Sequence, residues 1–322
     1  MTHLTKSRLR ATALALSLCA GPLLAQHAVE PLPFGDMDHW VDREIKESGI
    51  IGGNTKHVYA IAPTTTIKGD APYQNLGGSP WATSNVMAKV AGITKTNNSV
   101  FPEKRGDGYC ARLETHMESV KVLGIVNITV LAAGSVYLGQ MHEPIRSTKN
   151  PMKMLQTGIP FTKKPVALRY DYKVKMSDRA NRIKATGFSK IKDVEGRDYP
   201  EVTLLLQKRW EDGEGNVYAI RVGTMVKRYD QTTDWQNQAT YRIVYGDLSK
   251  TADYDAETMR LQATENFTVN SKGESVPIHE VAWGGPTDVP THLCLQFASS
   301  HGGAYIGSPG NTFWIDNVEL VY

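Results

Sequence analysis

Apolar and polar residues alternate with a period of two along most of the chain, and the 3.6-residue period of an amphipathic helix is nearly absent. From Val120 to Ala132 one face reads Val120, Val122, Gly124, Val126, Ile128, Val130 and Ala132, which predicts one long strand, strongly buried on one side. Val202, Leu204 and Leu206 share a face. Beyond the turn residues Asp212-Gly213-Glu214-Gly215-Asn216, Tyr218, Ile220, Val222 and Val226 share another. Two alternating runs around a Gly-rich turn predict a hairpin. Similar runs occur at Ala167–Lys175, Tyr241–Tyr245, Leu293–Phe297 and Phe313–Tyr322. Many strands punctuated by Gly, Pro and Asn predict an all-β antiparallel sandwich. Gln140–Lys164, polar and rich in Pro and Thr, reads as a long surface loop inserted into one domain spanning residues 26–322.

The first residues read differently. Lys6, Arg8 and Arg10 precede the short apolar run Ala11–Leu18, and Leu23-Leu24-Ala25 ends in a small residue. That is the pattern of a secretory signal peptide over residues 1–25, cleaved before Gln26, and it predicts export to the periplasm, cell surface or medium. Cys19 follows Leu18, whereas a lipoprotein signal has a small residue before its cysteine. No later segment has the length of a membrane helix. Removing the leader takes the formal net charge from +3 to 0, because residues 1–25 carry three basic and no acidic side chains. A neutral chain lacks the electrostatic footprint of a nucleic-acid binder. Two cysteines remain, Cys110 and Cys294, either paired in an oxidising compartment or buried separately as small apolar residues.

Familiar catalytic signatures are missing: there is no His-Glu-x-x-His, Gly-x-Ser-x-Gly, phosphate-binding Gly loop or Cys-x-x-Cys. The most telling local feature is the ending Phe313-Trp314-Ile315-Asp316-Asn317-Val318-Glu319-Leu320, where an acidic residue interrupts an apolar alternation. It resembles the last strand of carbohydrate-binding-module jelly rolls, with Phe34-Gly35-Asp36-Met37-Asp38-His39-Trp40 as the first strand. That resemblance implies a structural calcium held by Asp36, Asp38 and Asp316 with carbonyls near Arg105-Gly106-Asp107-Gly108. The alternative is that Asp316 caps a bulge through backbone hydrogen bonds.

A broader resemblance rests on Ile45–Gly53, Ser79–Asn85, Gly106–Thr115 and Phe297–Tyr305, together with the Trp-Ile-Asp-Asn ending. In order and spacing these blocks are similar to proteins carrying the putative carbohydrate metabolism domain, PCMD. The resemblance implies a β jelly roll, export, and a polysaccharide or oligosaccharide as partner. It carries no settled catalytic residues.

Sugar recognition needs flat aromatic faces and fixed polar groups. Trp81 beside Asn85, Trp283 within Ala282-Trp283-Gly284-Gly285-Pro286, and Tyr305 after a Gly-Gly pair are the candidate contacts, because their surroundings have loop composition. Trp210 and Trp314 end or occupy apolar strand faces and are expected to pack. A glycoside hydrolase needs two carboxyl groups on one cleft, for which Glu114 and Asp171 are the candidates. The expectation is therefore a carbohydrate-binding protein, with a hydrolase of the same fold and an adhesive envelope protein as alternatives.

Overall fold

In the computed structural model, the residues described are 28–75, 78–90, 92–122, 126–147, 150–187 and 189–322. The signal peptide expected over residues 1–25, and Cys19 with it, lie outside them.

Among the described residues strand far exceeds helix, as the alternation predicts, and it builds two large sheets. The first has eight strands, ordered Thr186–Gly187, Val126–Ala133, Gly108–Val122, Thr312–Val321, Ala167–Lys175, Thr233–Arg242. Val29–Pro31 adds to Thr312–Val321, and Val100–Arg105 adds to Gly108–Val122. The second has ten strands and centres on the predicted hairpin: Glu201–Glu211 pairs with Val217–Arg228 across the Asp212–Asn216 turn. His292–Ala298 lies on one side of that hairpin and Ser275–Trp283 on the other.

The inner faces meet in one core. Leu113, Leu168, Tyr170, Phe313 and Ile315 come from the first sheet; Leu204, Leu206, Leu293, Leu295 and Phe297 come from the second. All ten side chains are essentially inaccessible. Because side chains alternate across a strand, the residues between them necessarily point out of the sandwich.

On the second sheet those outward residues are not all solvated. Ser275–Trp283 pairs with Phe267–Val269, which pairs with Leu155–Thr157, then Ser135–Met141, and finally back to His292–Ala298. This ring folds the outer face of the sheet around a second interior. Ile278, Val217 and Ala219 fill one part of it. The rest is polar: Arg221 forms a buried ion pair with Glu280, and Gln207 Nε2 donates to Glu280 Oε1 at 2.6 Å. Arg209 donates to Cys294 Sγ at 2.8 Å.

Three readings of the sequence change here, and one left open is decided. The run from Val120 to Ala132 is not one strand: Gly108–Val122 and Val126–Ala133 are antiparallel partners, with Val126 opposite Val122. A period-two pattern survives a tight reversal, so alternation alone does not mark it. Phe34–Trp40 is a turn rather than the first strand, with Phe34 and Met37 at positive φ; the strand starts at Trp40. Gly35 is required in this turn, since a Cβ there would lie 2.6 Å from the Val318 carbonyl oxygen. Within the expected loop, Leu155–Thr157 and Ile159–Pro160 pair into the second sheet. Finally, Cys110 and Cys294 are free, buried thiols; Cys110 lies in the first sheet and Cys294 in the second.

Candidate functional site

Trp81 is 1% exposed, its ring against Phe297 and its Nε1 donating to the Pro33 carbonyl at 2.8 Å. Asn85 is equally enclosed. Its Nδ2 donates to the carbonyls of Tyr59 and Val100, and its Oδ1 accepts from the amides of Ser99 and Val100. Neither presents a surface to a saccharide, so both leave the candidate set: the Gly/Ser/Pro-rich segment around them is covered by other elements. Trp283 is half-buried, stacked 5.5 Å over the Arg221 guanidinium and edge-on to Tyr254. It helps cover the buried Arg221–Glu280 pair. Tyr305 does line a cavity.

That cavity has two compartments on the outer face of the second sheet. The smaller, about 150 Å³, is a mouth of mixed lining where the outward residues of Glu201–Glu211 and His292–Ala298 emerge, its polar groups standing among Tyr137, Leu138, Met152 and Leu205. Glu201, Thr203 and Gln296 come from the sheet, and Gln262, Glu265 and Asn266 from the segment after the short helix Ala256–Met259. His301, stacked on Tyr199 with ring centroids 5.4 Å apart, lines it too. The larger compartment, about 430 Å³, lies between the hairpin Val86–Val90/Ile93–Asn97, the strand Val126–Ala133, and the loop carrying Tyr305. Met152, Gln296, Ala298, Ser300 and Gly303 border both compartments, which are therefore adjacent.

The two compartments differ in chemistry. The large one is walled by Val86, Val90, Ile93, Ile128, Val130 and Ile145. Its charges are already matched: Lys95 pairs with Glu118 at 3.0 Å and with Glu47 at 3.2 Å. The mouth offers amides, a hydroxyl and carboxylates. Glu201 pairs with Arg228 at 2.6 Å and accepts from the Thr203 hydroxyl. Burial pushes the Glu265 carboxyl up, but the Thr264 amide and the Arg260 guanidinium more than offset this and hold it below the usual range.

The carboxylates singled out in the sequence lie elsewhere. Asp316 faces Asp171 across the register, and one nitrogen of Arg105 contacts both, at 2.5 and 2.8 Å. Asp171 also accepts from the Gln238 amide and the Asn317 side chain, and both of those residues sit at positive φ. The Arg105 guanidinium stacks 3.8 Å from the Trp235 ring. Burial pushes Asp316 up to about 6 despite the arginine. Asp38 instead accepts from the Tyr109 amide at 2.6 Å, and Asp36 from the Asp38 amide. Among the described residues no group of three or more His, Cys, Asp or Glu side chains is placed to hold a metal. The donor set of Asp36, Asp38 and Asp316 does not fit calcium, because an arginine already supplies the positive charge at Asp316. Glu114 is paired with Arg112.

A partly exposed aromatic row also escaped the sequence reading. Trp210, expected to pack, is 44% exposed; it stacks on Tyr218, and Tyr218 lies beside His279 on the next strand.

A family model described as "putative carbohydrate metabolism domain" (PCMD) matches residues 54–321. The chain belongs to this family. The mouth, the large compartment and Tyr305 all lie within the matched PCMD span. One solved structure similar to the PCMD chain is described as a putative glycoside hydrolase from Bacteroides thetaiotaomicron. It is 18% identical, covers 87% of this chain and 70% of that one, and has a TM-score of 0.44. No curated protein matches.

Proposed function

We propose that the chain is an exported carbohydrate-binding protein that holds a saccharide in the mouth without cleaving it. One observation carries the reading. Thr203, Gln262, Asn266, Gln296 and two carboxylates converge on a single concavity in a carbohydrate-metabolism domain. Amides and carboxylates of this kind match the donor and acceptor pattern of sugar hydroxyls. Export is supported by the leader composition.

Hydrolysis has a specific difficulty here. A glycosidase holds one carboxyl protonated near neutral pH to serve the leaving group. In the mouth, Glu265 is held below the usual carboxylate range and Glu201 is ion-paired. The raised carboxyl, Asp316, lies in the other sheet beneath Arg105.

The test is a glycan array on the mature chain, followed by calorimetry with the best sugar. Gln296→Ala should weaken binding about tenfold or more, in line with losing hydrogen bonds to a buried polar ligand. Trp210→Ala should leave it unchanged. If Trp210→Ala abolishes binding and Gln296→Ala does not, the saccharide lies on the aromatic row and the mouth is excluded. Release of reducing ends from any bound oligosaccharide would overturn the noncatalytic reading.

A further inference from the structure

The mouth lies against a compartment nearly three times its volume, across the shared residues Met152, Gln296, Ala298, Ser300 and Gly303; the lining of that compartment is largely aliphatic and its ionic groups are internally paired. A single sugar ring matches the hydrogen-bonding groups of the first and not the lining of the second, where its hydroxyls would lose water against Val86, Ile93, Ile128 and Val130 without gaining partners. The large compartment falls within the size range of small-molecule sites. We infer that the ligand is an amphiphile: a glycoside whose sugar occupies the mouth and whose apolar aglycone, an alkyl chain or comparable hydrocarbon, occupies the larger compartment.

The inference rests on the saccharide reading of the mouth and adds what the sugar is attached to. Gln296 and Ser300 stand at the junction, where the glycosidic oxygen would pass, and Ala298 leaves room for the chain to turn. The paired state of Lys95 argues against a fatty acid as the occupant. Its ammonium is already shared between Glu47 and Glu118, and a further carboxylate would meet two others.

The test uses the mature chain and hexyl, octyl and decyl glycosides of glucose, galactose, mannose and N-acetylglucosamine, below their critical micelle concentrations. The matching free sugars and octanol serve as controls. For the head group that binds, each added methylene should tighten the dissociation constant about three- to four-fold, the increment expected for a buried CH₂ at about 0.8 kcal/mol. The free sugar should bind more weakly than any of its alkyl forms. Ala132→Phe, or Val130→Trp if the first variant fails to fold, narrows the large compartment. Either should abolish the chain-length dependence while leaving free-sugar binding intact. A sugar that binds with an affinity independent of its alkyl chain would overturn the inference and leave the saccharide reading standing. Octanol binding as tightly as octyl glycoside, with no effect of Gln296→Ala, would overturn the saccharide reading. Failure of every glycoside and every free sugar to bind would overturn both.

Discussion

Arg105 shows how much one side chain can decide. It stands between two carboxylates whose side chains are only 8% and 9% exposed. Removing one partner of a buried charge cluster leaves the others uncompensated, at about 3–5 kcal/mol. Arg105→Leu should therefore lower the free energy of unfolding by about that amount at pH 7, measured by urea denaturation. A loss below about 1 kcal/mol would show that the carboxylates are solvated.

Two titrating groups should oppose one another in the pH dependence of stability. Asp316, pushed up to about 6 by burial, binds its proton more tightly in the folded chain than its ordinary value of 3.8 would allow. Its contribution is fully present below pH 3.8 and is lost as pH rises through 6. His292, pushed down to about 4 by burial and by the nearby Arg209 charge, resists protonation that the unfolded chain accepts near 6.5. Its contribution is present above 6.5 and is lost as pH falls toward 4. The two slopes partly cancel in the wild type between pH 4 and 6. Asp316→Asn should make stability rise with pH across this window, and His292→Gln should make it fall. Equal slopes in both variants would refute the assignment.

At the scale of elements, the joints matter most. Asn85 ties the end of the strand Trp81–Thr83 to the strands Thr55–Ile61 and Val100–Arg105 through four backbone hydrogen bonds. An Asn85→Leu substitution strands buried amides and carbonyls at roughly 1–3 kcal/mol each. It should lower the unfolding free energy by at least ~2 kcal/mol in calorimetry without altering saccharide affinity in the mouth. A matching loss of affinity in a folded variant would mean that Asn85 reaches the ligand after all.

The hairpin Glu201–Arg228 was legible because its alternation and Gly-rich turn are local properties. The reversal near Val122 was not, because both strands carry the same alternation. Leu155–Thr157 and Ile159–Pro160 were read as loop because runs of three and two residues are too short to show an alternation, and the partner of the second lies far along the chain.

For the whole molecule, the ring closing the second sheet creates the site by giving the outer face of Glu201–Glu211 an interior. It also places the thiols. Cys110 and Cys294 lie in different sheets, and burial pushes Cys110 up to about 12. Reducing agent should therefore leave the thermal midpoint unchanged, and both thiols should react with iodoacetamide only after unfolding. Thiol counts of zero in the denatured, unreduced chain would reveal a bridge and contradict this arrangement.

By itself the sequence determined the strand content, the central hairpin and the family, since each follows from local alternation or motif order. Only the tertiary structure decided which aromatic rings meet water. Trp81 sits in a segment of loop composition yet is covered, while Trp210 ends an apolar face yet is bare. Side-chain exposure depends on what distant parts of the chain lay over each face, as Pro33 and Phe297 do over Trp81, and local alternation does not record that.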